Sequence, residues 1–138
     1  MKLLITRETD YALRILRVLS DGQRATTGDI CQKELLPQQF TYKILKKLER
    51  AGLIQISRGA DGGCQLVADL NKVSLYDLTQ IMEGDHLIST CTKPGHQCAW
   101  RQQYDCTCSV NKHLLQIQHV LDSELRARSL RQILSNDA

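Results

Sequence analysis

The chain of 138 residues is 42% hydrophobic and only 4% aromatic, and its formal net charge is +3. This length suits one domain with an appended element, and no run approaches the roughly 18 uninterrupted apolar residues of a membrane-spanning helix. Few aromatic residues beside abundant Leu and Ile favour packed helices over a β-sandwich. The run from Met1 to Ile5 stops at charged residues before a signal peptide develops, so we expect a cytoplasmic protein with no membrane partner.

Charge is distributed unevenly along the chain. Residues 1–58 hold eleven Lys and Arg against six Asp and Glu, whereas residues 59–138 hold seven against nine. The first part therefore predicts a surface for an anionic partner.

Three short helices are predicted in this basic part. Apolar spacing indicates a helix from Asp10 to Leu19, and Thr27 is expected to cap a second from Gly28 to Leu35. Pro37 suits the first turn of a third helix, which ends at Ala51 before a glycine. Three helices with short connections predict a helix-turn-helix core.

A β-hairpin is predicted directly after the third helix. Leu53–Arg58 alternates as a strand does, residues 59–63 form a glycine-rich turn, and Cys64–Val67 returns as the partner strand. A hairpin in this place is a wing.

Two further helices are predicted downstream. Ser74 and Asp77 resemble a capping box at the start of a helix that runs to Glu83. A later helix from Val110 carries a narrow apolar stripe that either packs on its own domain or, as we favour, forms the seam of a homodimer. The stripe consists of Val110, Leu114, Ile117, Leu121 and Leu125.

The predicted fold is thus mostly α with a small β-hairpin, in three parts. Residues 1–84 form the winged helix-turn-helix domain, residues 85–109 a cysteine-rich loop, and residues 110–138 the dimerisation helix and C-terminal tail.

The third helix carries the candidate DNA-binding residues. Its inward set is predicted to be Phe40, Ile44, Leu45 and Leu48. Amide and cationic side chains follow helical spacing on the opposite face and can reach base edges and phosphates. Arg58 at the hairpin tip suits a narrow minor groove. The outward set is Gln39, Lys43, Lys46 and Arg50.

Four stretches resemble the Rrf-two (BadM-like) family of winged-helix regulators. They are Thr9–Leu13, Ile44–Leu48 with Ala51–Ile54, Arg58-Gly59 with Gly62-Gly63, and the cysteine cluster that follows the fourth helix. Members of that family are dimers that read operators with the third helix and the wing.

The resemblance also assigns roles to individual residues. By position it implies that Gln39, Phe40, Tyr42 and Lys43 enter the major groove and that Arg58 enters the minor groove. The chain departs from the family at the wing, with Ala60-Asp61 in the turn and Cys64 after it, and an acid there would lie near phosphate.

The chain has six cysteines, and four of them lie within residues 91–108. Without a secretion signal these thiols are expected to stay reduced, which favours metal or redox chemistry over disulfides. The family's cluster-binding members use three loop cysteines and a fourth ligand from elsewhere. Cys91, Cys98 and Cys106 match those three, with six and seven residues between them, and Cys108 is an addition.

The resemblance therefore implies a two-iron or four-iron cluster whose fourth ligand is open. Asp10 aligns with an acidic residue that some members supply from the opposite subunit, and Cys108 is a softer local donor. His113 or His96 can substitute. We expect a homodimeric regulator, most simply a repressor, whose operator affinity follows a cluster that senses redox state, nitric oxide or iron-sulfur status.

Three alternatives use the same cysteines. Zinc accepts four thiolates, although paired CxxC spacing is absent. A Cys106/Cys108 disulfide would be a metal-free switch. An electron-transfer or cluster-carrier protein would explain the cysteines but not the wing. Cys31 and Cys64 are predicted to be buried and not ligands. No catalytic constellation stands out, so we do not expect an enzyme.

Overall fold

A computed structural model describes residues 1–60 and 62–135. The expectation for Asp61 in the wing turn lies outside the described residues, as does the end of the C-terminal tail. The chain forms α1 (Arg7–Leu19), α2 (Thr27–Glu34), α3 (Gln38–Arg50), β1 (Ile54–Ser57), β2 (Gly63–Leu66), α4 (Leu75–Glu83), a 3-10 turn (Thr90–Thr92), α5 (Ala99–Tyr104), α6 (Ser109–Arg126) and α7 (Leu130–Leu134). The predicted winged helix-turn-helix with a long C-terminal helix is confirmed.

The helix-turn-helix core is built on the apolar face of α1. Ile15, Leu16 and Leu19 are fully buried and pack with Ile30 of α2. The inward face of α3 completes this cluster with the predicted Ile44, Leu45 and Leu48, together with Thr41. Burial of aliphatic side chains from all three helices fixes the angle at which α3 is presented.

The start of α2 differs from the sequence prediction. The capping residue is Thr26 and not Thr27: the Thr26 hydroxyl accepts a hydrogen bond from the Asp29 backbone N–H at 3.1 Å, and the Asp29 carboxylate accepts one from the Thr26 N–H at 3.2 Å. This reciprocal pair satisfies two helix-end donors at once, which Thr27 cannot do because the residue three positions after it is the apolar Ile30. Cys31 also differs, since it is only half-buried.

The wing is a two-stranded antiparallel hairpin with Ile56 opposite Cys64. The connection between α1 and α2 joins it, because Ala25 donates to the Cys64 carbonyl at 2.9 Å and accepts from the Cys64 N–H at 2.7 Å. Cys64 is consequently buried, as predicted, and burial raises the pKa of its thiol. The α1–α2 connection is thereby hydrogen-bonded to β2 near the turn of the hairpin.

The C-terminal part returns to the first domain. Leu130 of α7 is fully buried in the main core, its N–H donates to Val73 at 2.7 Å, and the Arg131 guanidinium donates to the Ser20 carbonyl at 2.8 Å. Helix α7 is not predicted from the sequence, because five residues are too few for a periodic signal. None of the described helices is both long and apolar enough to cross a bilayer.

Helix α6 buries amides as well as leucines on the face turned toward its own domain. Asn111 and Gln118, two turns apart, are only 9% and 6% exposed. The predicted apolar stripe divides between this face and solvent: Leu125 is buried, Leu114 and Leu121 are half-buried, and Val110 and Ile117 are exposed.

Candidate functional site

A groove of about 570 Å³ lies between the helix-turn-helix and the wing. The N-terminus of α2, one face of α3 and the hairpin line it, and Lys46 and Arg58 provide cations there. The groove lies where the two predicted DNA-reading elements face each other.

The outward residues of α3 are where the helical spacing predicts them. Gln39, Lys43, Lys46 and Arg50 are all exposed, and Tyr42 is half-exposed at the groove. Sequence reasoning missed Thr26, Thr27 and Gln38, which also line the groove. Their polar side chains at the starts of two helices were the available signal, since helix N-termini favour phosphate.

Phe40 occupies a different environment from its neighbours. It is half-buried, and its ring meets the Tyr11 ring edge-on at a centroid distance of 5.6 Å. The Arg14 guanidinium lies 5.9 Å from the Tyr11 ring centroid. Phe40 thus connects α3 to α1 and matches its predicted inward role.

The wing is held to α3 by a side chain that no pattern in the sequence indicates. The Glu49 carboxylate in the last turn of α3 accepts a hydrogen bond from the Ile56 N–H at 3.1 Å. In the turn, a Cβ on Gly62 would come within 2.7 Å of the Ser57 carbonyl oxygen, so only glycine fits. These two constraints set the direction in which exposed Arg58 leaves β1.

The four loop cysteines occupy distinct structural positions. Cys91 lies in the 3-10 turn, Cys98 precedes the first turn of α5, and Cys108 caps α6 by accepting a hydrogen bond from the Asn111 N–H at 3.4 Å. Cys106 is exposed after a residue with a left-handed backbone, Asp105. The predicted loop therefore contains the short helix α5. The exposed rings of Trp100 and Tyr104 on this helix have their centroids 5.4 Å apart.

The pKa values of two of these thiols are lowered from the usual thiol value. A hydrogen bond with the Ser89 hydroxyl, at 3.3 Å, and another from the Asn111 side chain lower the pKa of Cys91. Backbone N–H groups of Arg101 and Trp100 at the start of α5 lower the pKa of Cys98. The thiolate is the form that binds metals or attacks oxidants.

The cysteine loop is attached to α6 through the two buried amides. The Asn111 side chain donates to the Cys91 carbonyl at 2.9 Å. Gln118 donates to the His86 carbonyl and accepts from the Ile88 N–H, both at 2.8 Å. The beginning of the loop and α6 therefore behave as one packed unit.

A second set of contacts leads from this unit to α3. The Glu83 carboxylate at the end of α4 lies 3.7 Å from the His86 imidazole and accepts from the Thr6 N–H at 3.2 Å, at the start of α1. In the first turn of α1, Glu8 pairs with Lys47 of α3 at 2.6 Å. Polar contacts thus run from the loop through α1 to the predicted recognition helix.

Comparison with known proteins identifies the relatives of this chain. Residues 5–136 match the Rrf2 family, described as an iron-dependent transcriptional regulator. The chain belongs to the Rrf2 family. It is an Rrf2-family transcriptional regulator, as its resemblance to the Rrf-two proteins implied.

One sequence relative and two solved structures show what the chain is similar to. Protein aau3 of Rhizobium meliloti is 28% identical over 116 residues, which are 80% of this chain and 71% of that protein. The structure of CymR (YrzC), the global cysteine regulator of B. subtilis, covers 99% of this chain and 100% of its own, with a TM-score of 0.72 and 20% identity. The structure of T. potens IscR covers 97% of this chain and 86% of its own, with a TM-score of 0.66 and 15% identity. At such identities the two structures establish the fold.

Because the Rrf2 family is described as iron-dependent, the cysteine loop is the candidate metal centre of this chain. Its sulfurs are soft donors, and two of them are biased toward the thiolate. However, among residues 1–60 and 62–135 no three His, Cys, Asp or Glu side chains converge on one point. The donor chemistry fits, and binding would require the loop to draw its sulfurs together.

The other candidate ligands are dispersed over the described fold. Asp10 of α1 lies 3.4 Å from the Arg14 guanidinium in an ion pair. His113 is exposed on α6, and His96 is half-buried in the loop. None of these three is attached to the cysteines by a hydrogen bond in the way that Asn111 is.

Proposed function

We propose that this Rrf2 regulator is a homodimer whose affinity for operator DNA is set by an iron-sulfur cluster on the cysteine loop. The observation that carries the proposal is the attachment of this loop to α6 by Asn111 and Gln118. Because of it, a change in the loop acts on the helix that would join two subunits.

Operator recognition would use α3 and the wing. Gln39, Tyr42 and Lys43 would reach base edges, Lys46 and Arg50 would neutralise phosphates, and Arg58 would enter the minor groove. Phe40 would act by packing, since its ring lies against Tyr11. Glu49 would keep the wing at a fixed angle to α3 through its hydrogen bond to β1.

The second subunit would cover the outer face of α6. Val110, Ile117 and Val120 are 63%, 56% and 61% exposed there, outside the face that holds the buried amides. Exposed apolar residues repeated along one long helix suit pairing with an identical helix. Two copies so joined would present two α3 helices to successive turns of an operator.

The cluster would be held by Cys91, Cys98 and Cys106, with Asp10 of the opposite subunit, Cys108, His113 or His96 as the open fourth donor. When bound, it would supply an iron-sulfide centre sensitive to oxidants and nitric oxide. Movement of the loop would pull on Gln118 and His86, then on Glu83 and the start of α1. Glu8 and Lys47 would pass that displacement to α3.

The proposal is tested on full-length protein purified without oxygen. We expect a brown protein with matched iron and sulfide, which binds a fragment from upstream of its own gene in gel shifts. Affinity should change after exposure to air or nitric oxide, and Cys98→Ala should abolish both the colour and that change. Unaltered regulation in Cys98→Ala would refute the sensor, and one zinc per chain without sulfide would make the loop a structural metal site.

The depressed pKa values of Cys91 and Cys98 favour a second candidate, a metal-free thiol switch. An oxidised thiolate in this loop would also alter the contacts of Asn111 and Gln118. Colourless, metal-free protein whose operator affinity responds to peroxide would favour this candidate over the cluster.

A further inference from the structure

We infer that Cys108 is the fourth cluster ligand and that Asn111 holds it beside Cys91, so that one chain supplies the whole ligand set. The inference rests on the proposed function, because it assigns a ligand to the proposed cluster. Among the candidate fourth ligands, it selects Cys108 over Asp10, His96 and His113.

Asn111 contacts both cysteines through different atoms. Its backbone N–H donates to the Cys108 sulfur at 3.4 Å, and its side chain donates to the Cys91 carbonyl at 2.9 Å, where it also helps to lower the pKa of the Cys91 thiol. Both sulfurs therefore lie around a single residue in the first turn of α6. They are the two ends of the cysteine segment, seventeen positions apart in the sequence.

Burial explains why Asn111 acts as a positioning residue. The side chain is only 9% exposed, and a buried amide is held in place by the hydrogen bonds that satisfy it. Groups behind metal ligands orient them, and their removal typically weakens metal binding about 10-fold or more. A residue whose side chain fixes one ligand while its backbone N–H fixes another is suited to this role.

The competing donors are less suited. The Asp10 carboxylate is paired with Arg14, and carboxylate oxygen is a harder donor than the thiolates that iron-sulfur clusters prefer. His113 is exposed on α6, whereas Cys108 is partly buried at the start of the same helix. Cys108 is thus the one of these donors already held next to a proposed ligand.

The first test uses reduced, metal-free, full-length protein and a bimane reagent that links two nearby thiols. Mass spectrometry of the bridged peptides should give Cys108 as the main partner of Cys91. The Cys91–Cys108 yield should fall several-fold in Asn111→Ala, which keeps the backbone N–H but lacks the amide, and should be unchanged in the control Lys112→Ala. An undiminished yield in a folded Asn111→Ala protein would overturn the positioning role.

The second test reconstitutes each variant with ferrous iron and sulfide without oxygen and measures both elements and the visible spectrum. Cys108→Ala should lose the cluster, and Asn111→Ala should bind iron about 10-fold more weakly. Asp10→Asn and the control Cys31→Ser should match the wild type. Cys108→Ala protein with wild-type iron and sulfide contents would overturn the assignment of Cys108 as the fourth ligand. So would Asp10→Asn protein that has lost both elements. Neither result would refute the proposed cluster.

A wild type that takes up neither iron nor sulfide would refute the cluster itself, and the ligand assignment with it. The bimane result remains informative in that case, because it reports the pairing of Cys91 and Cys108 without metal. Failure of the proposed function and failure of this inference are therefore distinguishable.

Discussion

The carboxylate of Glu83, in the last turn of α4, accepts a hydrogen bond from the hydroxyl of Thr9, in the first turn of α1. The same oxygen accepts one from the Thr6 N–H at 3.2 Å, so Glu83 serves as the cap that α1 lacks from its own side chains. A residue 77 positions away thus fixes the start of the helix that packs on α3. The sequence predicts that α1 begins at Asp10. The hydrogen bonds to Glu83 explain why the helix begins earlier, at Arg7.

We expect Glu83→Gln to lower the free energy of unfolding at neutral pH by about 1–2 kcal/mol, because hydrogen bonds to a charged acceptor become weaker bonds to a neutral one. Burial alone would raise the pKa of Glu83, but hydrogen bonds from Thr9 and Thr6 outweigh it, and the pKa lies below its usual value. The measurement is denaturant unfolding of both proteins between pH 3 and pH 7.

The pH dependence provides the control for that substitution. A lowered folded-state pKa stabilises the protein above the unfolded value of roughly 4.3, and this stabilisation is lost as pH falls through the folded-state pKa. The difference between wild type and Glu83→Gln should therefore shrink in acid. A difference that stays constant from pH 7 to pH 3 would show that the charge of Glu83 is not the cause.

Leu35 ends α2 with a left-handed backbone, at φ 56°, and its side chain is 86% exposed. The conformation is costly for a residue with a Cβ, and the exposed side chain recovers little by packing. We expect Leu35→Gly to raise the free energy of unfolding by about 0.5–1 kcal/mol. Leu36→Gly is the contrast, because Leu36 is buried and its removal should destabilise the protein.

Local patterns in the sequence were sufficient for much of the fold. Ser74 and Asp77 form the predicted capping box, and Ile44, Leu45 and Leu48 are buried as helical spacing requires. The misplaced cap of α2 was also readable, because Asp29 stands three residues after Thr26. In each case the interaction spans only a few residues.

Interactions between distant residues could not be read in this way. No local pattern joins Glu83 to Thr9 or Gln118 to His86, because such pairs form only when helices pack. The polar Asn111 and Gln118 look like surface residues in sequence, yet they fill the inner face of α6 and leave Ile117 and Val120 outside. The sequence thus drew attention to the cysteines and to the cations of α3, but not to the amides and carboxylates that connect these elements.

Operator binding should depend on salt in proportion to the cations that touch phosphate. If Lys46 in the groove neutralises one phosphate, Lys46→Ala should reduce the slope of log affinity against log salt by about 0.9. Lys72→Ala, an exposed lysine outside the groove, should leave the slope unchanged. Gel shifts at a series of salt concentrations measure both, and equal slopes for wild type and Lys46→Ala would remove Lys46 from the interface.

The exposed face of α6 supports the last prediction. Ile117 and Val120 lie beside each other on the outer side of the helix, where a carboxylate would be buried without a partner in a dimer but would be freely hydrated in a monomer. We expect Ile117→Glu and Val120→Glu to shift the protein to monomer in sedimentation equilibrium and to weaken operator binding. The control is Ile133→Glu, which places the same charge at an exposed isoleucine of α7 and should leave the dimer intact. Dimers that persist in both α6 variants would show that two subunits meet through another surface.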